Sequence, residues 1–138
     1  MTPVRSRSVD VMDAARRWAR TWERAWPEGD ARAIGDLYAP HAIYRSHPMR
    51  EPEDGGALGY ATRQFALEQG VRCRFGSPIA AGDRASVEWW ASWVEGGREV
   101  TLAGATILRF DGEGRVVQHV DYWVEGEGQT EPFAGWGS

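Results

Sequence analysis

A histidine and an aspartate stand two residues apart in VVQHVDYW (116–123), where apolar and polar residues alternate as they do along a β-strand. That spacing places Val117, His119, Asp121 and Trp123 on one face, with successive side chains roughly 6.6 Å apart along the strand. An imidazole and a carboxylate so placed can contact directly or through one water. A neighbouring carboxylate fixes an imidazole's tautomer and favours its charged form, whereas burial against Val117 and Trp123 opposes charge. The pair is therefore the first candidate for acid/base work. A slip of one residue in strand register turns both side chains to the other face, so register decides the outcome.

Other residues can serve the same chemistry. His47 precedes Pro48 at the end of a short strand, where polar groups can project into a cavity, and it joins Asp121 and His119 as a candidate catalytic residue. Tyr38 and Tyr44 can donate hydroxyl hydrogen bonds to a developing enolate or alkoxide. Other chemistries are excluded by residues that are missing. All 16 basic residues are arginine, so neither a Schiff-base lysine nor a Walker phosphate loop exists. The histidines at 41, 47 and 119 form no HxxxH or HExxH pattern, and the acidic loop Glu51, Glu53, Asp54 has no second cluster, so no metal is expected. No GxGxxG follows a strand and no GxSxG elbow occurs. No cofactor is implied.

The charge balance, −4 with arginines dispersed from Arg5 to Arg115, disfavours nucleic acid as a partner. There is no long apolar run and no signal-like N-terminus, so neither a membrane span nor secretion is expected. A lone Cys73 agrees with a reducing compartment, and a cytoplasmic location is the default expectation. Eight tryptophans in 138 residues exceed the needs of packing, and aromatics make efficient walls for apolar pockets. A small hydrophobic ligand is the expected partner.

The elements that must position these residues follow from periodicity and punctuation. Residues 1–9 read as a flexible arm. From Ser8 or Asp10, the apolar stripe Val11, Ala15, Trp18, Ala19, Trp22, Ala25 and Trp26 predicts a helix stopped at Pro27 and Gly29. A short helix from Ala31 to Tyr38, a strand at 42–48 and a third helix from Ala57 to about Gln69 follow. Four β-rich runs at 71–80, 85–95, 98–110 and 115–125, linked by AGDR, EGGR and DGEG, predict an antiparallel meander. Helices first and strands later make an α+β domain spanning 10–125. The tail, 126–138, can either close over the sheet or lie free.

This order, together with LYAPHAIYRSHP, RFDGEGRVV and VDYW, resembles the nuclear transport factor 2-like superfamily, within it the SnoaL-like polyketide cyclases and the ketosteroid isomerase group. The resemblance covers roughly residues 10–125. It implies a conical fold, a cystatin-like roll in which N-terminal helices pack on a curved antiparallel sheet around a pocket. It also implies that Trp89 faces inward and that Asp121 lies where the cyclases carry an acid/base aspartate. Two departures weaken an isomerase reaction: Ser46 and His47 stand where an acidic base is expected before the proline, and Thr106 stands where isomerases carry a protonated aspartate.

The pocket is then expected to be lined by Trp18, Trp22, Tyr38, Tyr44, Trp89, Leu102, Gly104, Thr106 and Trp123, with Gly104 making room and Thr106 offering a hydroxyl. It suits a hydrophobic, carbonyl-bearing molecule of polyketide or steroid-like type. The reading is a cofactor-free acid/base isomerase, cyclase or dehydratase; the alternative is a non-catalytic ligand-binding or dimeric interaction domain. Trp90, Ala105, Ile107, Val120 and Tyr122 make the opposite face apolar, which predicts a homodimer through the convex side of the sheet.

Overall fold

The computed structural model describes residues 9–138; most of the expected N-terminal arm lies outside the described residues. Helix α1 runs from Val11 to Glu28. Asp10 caps it by accepting a hydrogen bond from the Asp13 N–H at 3.1 Å, and Gly29, at φ 70°, closes its C-terminus in the left-handed region that glycine adopts without strain. Trp18, Trp22 and Trp26 recur every four residues and so share one buried face.

Helix α2 (Ala31–Gly35) is shorter than its pattern suggests, because strand β1 (Tyr38–Arg45) already begins at Tyr38. The Val116 N–H donates to the Leu37 carbonyl at 3.0 Å, so the sheet captures a segment that local propensity would leave helical. Helix α3 (Gly56–Phe65) is followed by β2 (Gln69–Phe75), β3 (Ile79–Ala81), β4 (Arg84–Glu95), β5 (Arg98–Phe110) and β6 (Val116–Gly126). The strand order is β1-β6-β5-β4-β2, with β3 also paired to β4.

This arrangement corrects two parts of the expected architecture. The sheet is mixed rather than antiparallel, since β1 pairs parallel to β6, and it is open: β1 and β2 are its two ends and do not pair with each other. It is an α+β fold with a sheet neither closed nor strongly curled, not a conical roll. Glycine turns dictate the antiparallel links among β4, β5 and β6. No turn ties β1 to β6, and the long connection between them permits parallel pairing. The run 71–80 also breaks into β2 and β3, which both hydrogen-bond to β4.

The core lies between α1 and one face of the sheet, where Val87, Trp89, Ala91 and Trp93 are buried. The tail packs on the other face. Trp90 donates its indole N–H to the Thr130 carbonyl at 2.6 Å, and the Ser77 N–H donates to the Gly137 carbonyl at 2.9 Å. Trp136 is buried edge-on to Trp90 and beneath the Arg74 guanidinium. Much of the apolar far face is thus covered by the chain itself, while Tyr122, Val124 and Phe133 stay exposed.

Candidate active site

Strand β6 sends His119, Asp121 and Trp123 toward the helices, with Asp121 opposite Thr106 and Trp123 opposite Gly104 on β5. Val117 departs from that row. The register shifts between Arg109 and Phe110, so Phe110 pairs with Val116 and the buried valine is Val116. A bulge absorbs one residue and leaves the pairing beyond it intact.

The polar groups form one directed chain. Trp18 and Trp22 donate their indole N–H groups to the Tyr38 hydroxyl oxygen at 3.0 and 3.4 Å. With its oxygen occupied by these donors, the hydroxyl directs its own proton to His119 Nδ1, 2.8 Å away. His119 is then the neutral imidazole carrying its proton on Nε2, which donates to Asp121 Oδ1 at 2.7 Å. From β5, Thr106 donates to the same Oδ1 at 2.5 Å and accepts from the Trp89 indole at 2.9 Å. Both bonds to Asp121 converge on Oδ1, so Oδ2 has no hydrogen-bond partner among the described residues. His119 and Thr106 are both about 1 % exposed, and in so dry a setting these bonds hold the carboxylate in a single orientation.

Asp121 borders a cavity of about 200 Å³. This is smaller than the ~300–1,000 Å³ typical of drug-sized ligands, so it accommodates a small molecule, or one end of a larger one. Trp18, Trp22, Trp26, Trp89 and Trp93 wall it, and Arg50, Arg98 and Glu125 stand at its exposed rim. Tyr44 stacks on His119 with ring centroids 3.9 Å apart, and Tyr60 packs on Tyr44 at 4.9 Å. Burial, reinforced by the Asp121 charge, raises both phenols well above the ordinary tyrosine range. They therefore stay protonated as donors, and neither hydroxyl has a protein partner among the described residues.

Of the residues singled out from sequence, Trp18, Trp22, Tyr44, Trp89, Leu102, Thr106, His119, Asp121 and Trp123 line this cavity. Tyr38 stands behind His119 rather than at the surface of the cavity. Gly104 acts through the backbone: a Cβ there would meet the Tyr122 carbonyl oxygen at 2.1 Å. His47 borders a groove on the far face of the sheet, edge-on to Trp123, with Nδ1 accepting the Met49 N–H at 3.1 Å.

Tyr60, Gln64, Glu68 and Glu95 also line the cavity and were not anticipated. Trp26 and Trp93 could have been, since they continue the helical spacing of Trp22 and the strand alternation of Trp89. Glu68 lies just beyond α3 rather than within the helix expected to run to about Gln69, and its four-residue spacing from Gln64 is the one signal that could have found it. There it accepts the Trp26 indole N–H at 2.6 Å and the Gln64 amide at 2.8 Å. Burial pushes its carboxyl up to about 7, although those two hydrogen bonds oppose the shift. Among the described residues no group of three or more histidine, cysteine, aspartate or glutamate side chains is placed to hold a metal, and no helix is long and apolar enough to cross a membrane.

Fold and site together define a small α+β protein with a buried aromatic pocket holding one oriented carboxylate. Residues 15–119 match the SnoaL-like domain model, and the chain belongs to that family, within the nuclear transport factor 2-like superfamily. Among solved structures it resembles the epoxide hydrolase/cyclase-like enzyme SalBIII, described as acting in pyran ring formation in the polyether salinomycin, with TM-score 0.70 and 16 % identity over 83 % of this chain and 93 % of that one. It also resembles a hypothetical protein of ketosteroid isomerase-like fold from Catenulispora acidiphila, solved in complex with trimethylamine, with TM-score 0.65 and 25 % identity over 75 % of this chain and 82 % of the other. No curated protein matches.

Proposed function

We propose that this protein binds a small, largely apolar carbonyl compound and moves a proton on it without a cofactor, with Asp121 as the base. Asp121 Oδ2 takes a proton from the carbon next to the carbonyl, and the electron pair of that C–H bond passes to the carbonyl oxygen to give an enolate. Tyr44 and Tyr60 donate hydrogen bonds to that oxygen. Return of the proton to a different carbon gives isomerisation; attack of the enolate carbon on an internal electrophile gives ring closure. His119 and Thr106 are positioning residues, and Tyr38 fixes the tautomer of His119. The observation that carries this reading is the convergence of both hydrogen bonds on Oδ1, which leaves the second carboxylate oxygen for a ligand.

The test is deuterium incorporation from D2O into a small cyclic ketone, followed by NMR. Asp121→Asn should lower the protein-catalysed rate by at least about 10²-fold while the fold, checked by thermal unfolding, persists. An unchanged rate would remove Asp121 from the chemistry. A second reading, binding without reaction, draws on His119 having both ring nitrogens engaged within the protein; no exchange by the wild type, with retained ketone affinity, would favour it. We also propose that the exposed remainder of the far face, Tyr122, Val124 and Phe133, joins two copies into a homodimer. Sedimentation showing a monomer at micromolar concentration would refute this.

A further inference from the structure

We propose that the end of the cavity remote from Asp121 is a subsite for an alkylammonium group, so that the ligand is an amino-carbonyl compound rather than a neutral polyketide-like one. This rests on the reading of the cavity as a ligand pocket and names the class of ligand. Trp22 lies edge-on to Phe65, with centroids 6.1 Å apart, and 6.5 Å from the His119 ring, so its indole adjoins both the His119 side and the Phe65 side of the pocket. At the remote end two carboxylates meet. The Gln64 amide nitrogen lies 2.8 Å from Glu68 and 2.9 Å from Glu95, and Trp93 donates its indole N–H to Glu95 at 3.1 Å.

Every donor on these two carboxylates is neutral. Neither forms an ion pair among the described residues, although the chain carries 16 arginines. Arg98, on the rim and opposite Glu95 in the strand pairing, is paired instead with Glu125 at 3.0 Å. The Trp26 and Trp93 rings lie 5.7 Å apart beside the carboxylates. Aromatic faces with uncompensated negative charge attract an alkylammonium ion, which binds indole faces and needs no directed hydrogen bonds. A neutral apolar ligand gains nothing from two carboxylates beside it.

The titratable groups around Glu68 are Glu95 on β4, Cys73 on β2 and Tyr60 on α3. Burial raises Cys73 to about 12 and Tyr60 further still, so neither ionises near neutrality. A bound cation favours the Glu68 carboxylate and displaces its proton. Cation affinity should therefore fall as pH drops through about 7, the value to which Glu68 is raised in the empty pocket.

The probes are choline and its neutral carbon isostere, dimethylbutanol, with binding read by tryptophan fluorescence and calorimetry on the whole chain. Choline should bind about tenfold more tightly than the isostere at pH 8, and its lead should shrink toward pH 5.5. Glu68→Gln and Glu95→Gln should each reduce choline affinity and leave isostere affinity unchanged. Equal binding of the two probes, or a choline preference that survives the double substitution, would overturn the subsite. If the isostere binds without a choline preference, the role of Asp121 stands. Failure of both probes to bind would overturn the subsite and the pocket reading together.

Discussion

Tyr38→Phe isolates the hub of the buried network, because the ring is retained and only the hydroxyl is lost. That hydroxyl accepts from Trp18 at 3.0 Å and Trp22 at 3.4 Å and donates to His119 at 2.8 Å. No cavity opens, so the cost is that of stranding polar groups. At ~1–3 kcal/mol for each buried group left unpaired, two well-formed bonds and one long one come to about 2–4 kcal/mol. For a chain of this size the melting temperature should fall by roughly 6–12 °C, and the urea midpoint by about 1–2 M. Nitrogen chemical shifts of His119 supply an independent readout: the wild type should show the neutral imidazole with its proton on Nε2, and the variant a mixture of tautomers. A loss below ~0.5 kcal/mol, or a wild-type His119 carrying its proton on Nδ1, would refute the direction assigned to the chain of hydrogen bonds.

Two further consequences concern stability. Glu68 is raised from 4.5 to about 7 on folding, so between these values the folded state binds more protons than the unfolded one, and stability must fall as pH rises through this window. The fall should be on the order of 2–3 kcal/mol, and Glu68→Gln should flatten it in urea midpoints measured from pH 5 to pH 8; a slope unaltered by the substitution would show that Glu68 is not the group responsible. Gly104→Ala should destabilise by about 3 kcal/mol or more, because the new methyl must displace β6 backbone at Tyr122 and Trp123 rather than a flexible side chain. Thermal unfolding indistinguishable from wild type would refute that contact.

Much of the cavity lining was legible in the sequence. The fourfold spacing of Trp18, Trp22 and Trp26 and the twofold spacing of His119, Asp121 and Trp123 each assign a face, and neither depends on how the elements pack. Glycine-bearing links similarly fixed the hairpins that set Thr106 opposite Asp121. Local chemistry could not supply the path of β1. It pairs parallel to β6 across a long connection, and this pairing withdraws Tyr38 from helix α2 and places its hydroxyl on His119.

The same limit explains Glu68, Gln64 and Glu95. Gln64 and Glu68 stand one helical turn apart, but Glu95 lies on a strand 31 residues beyond Gln64, and no period relates it to them. The bulge at Val117 and the tail over Trp90 likewise arise from packing between segments that local pattern treats as independent. Short-range periodicity and turn chemistry thus determined which faces are apolar and which acid and imidazole stand together. Only tertiary structure decided which oxygen of that acid is left free and which carboxylates meet beside Trp26, because Thr106 reaches Asp121, and Trp26 reaches Glu68, from elements distant in sequence.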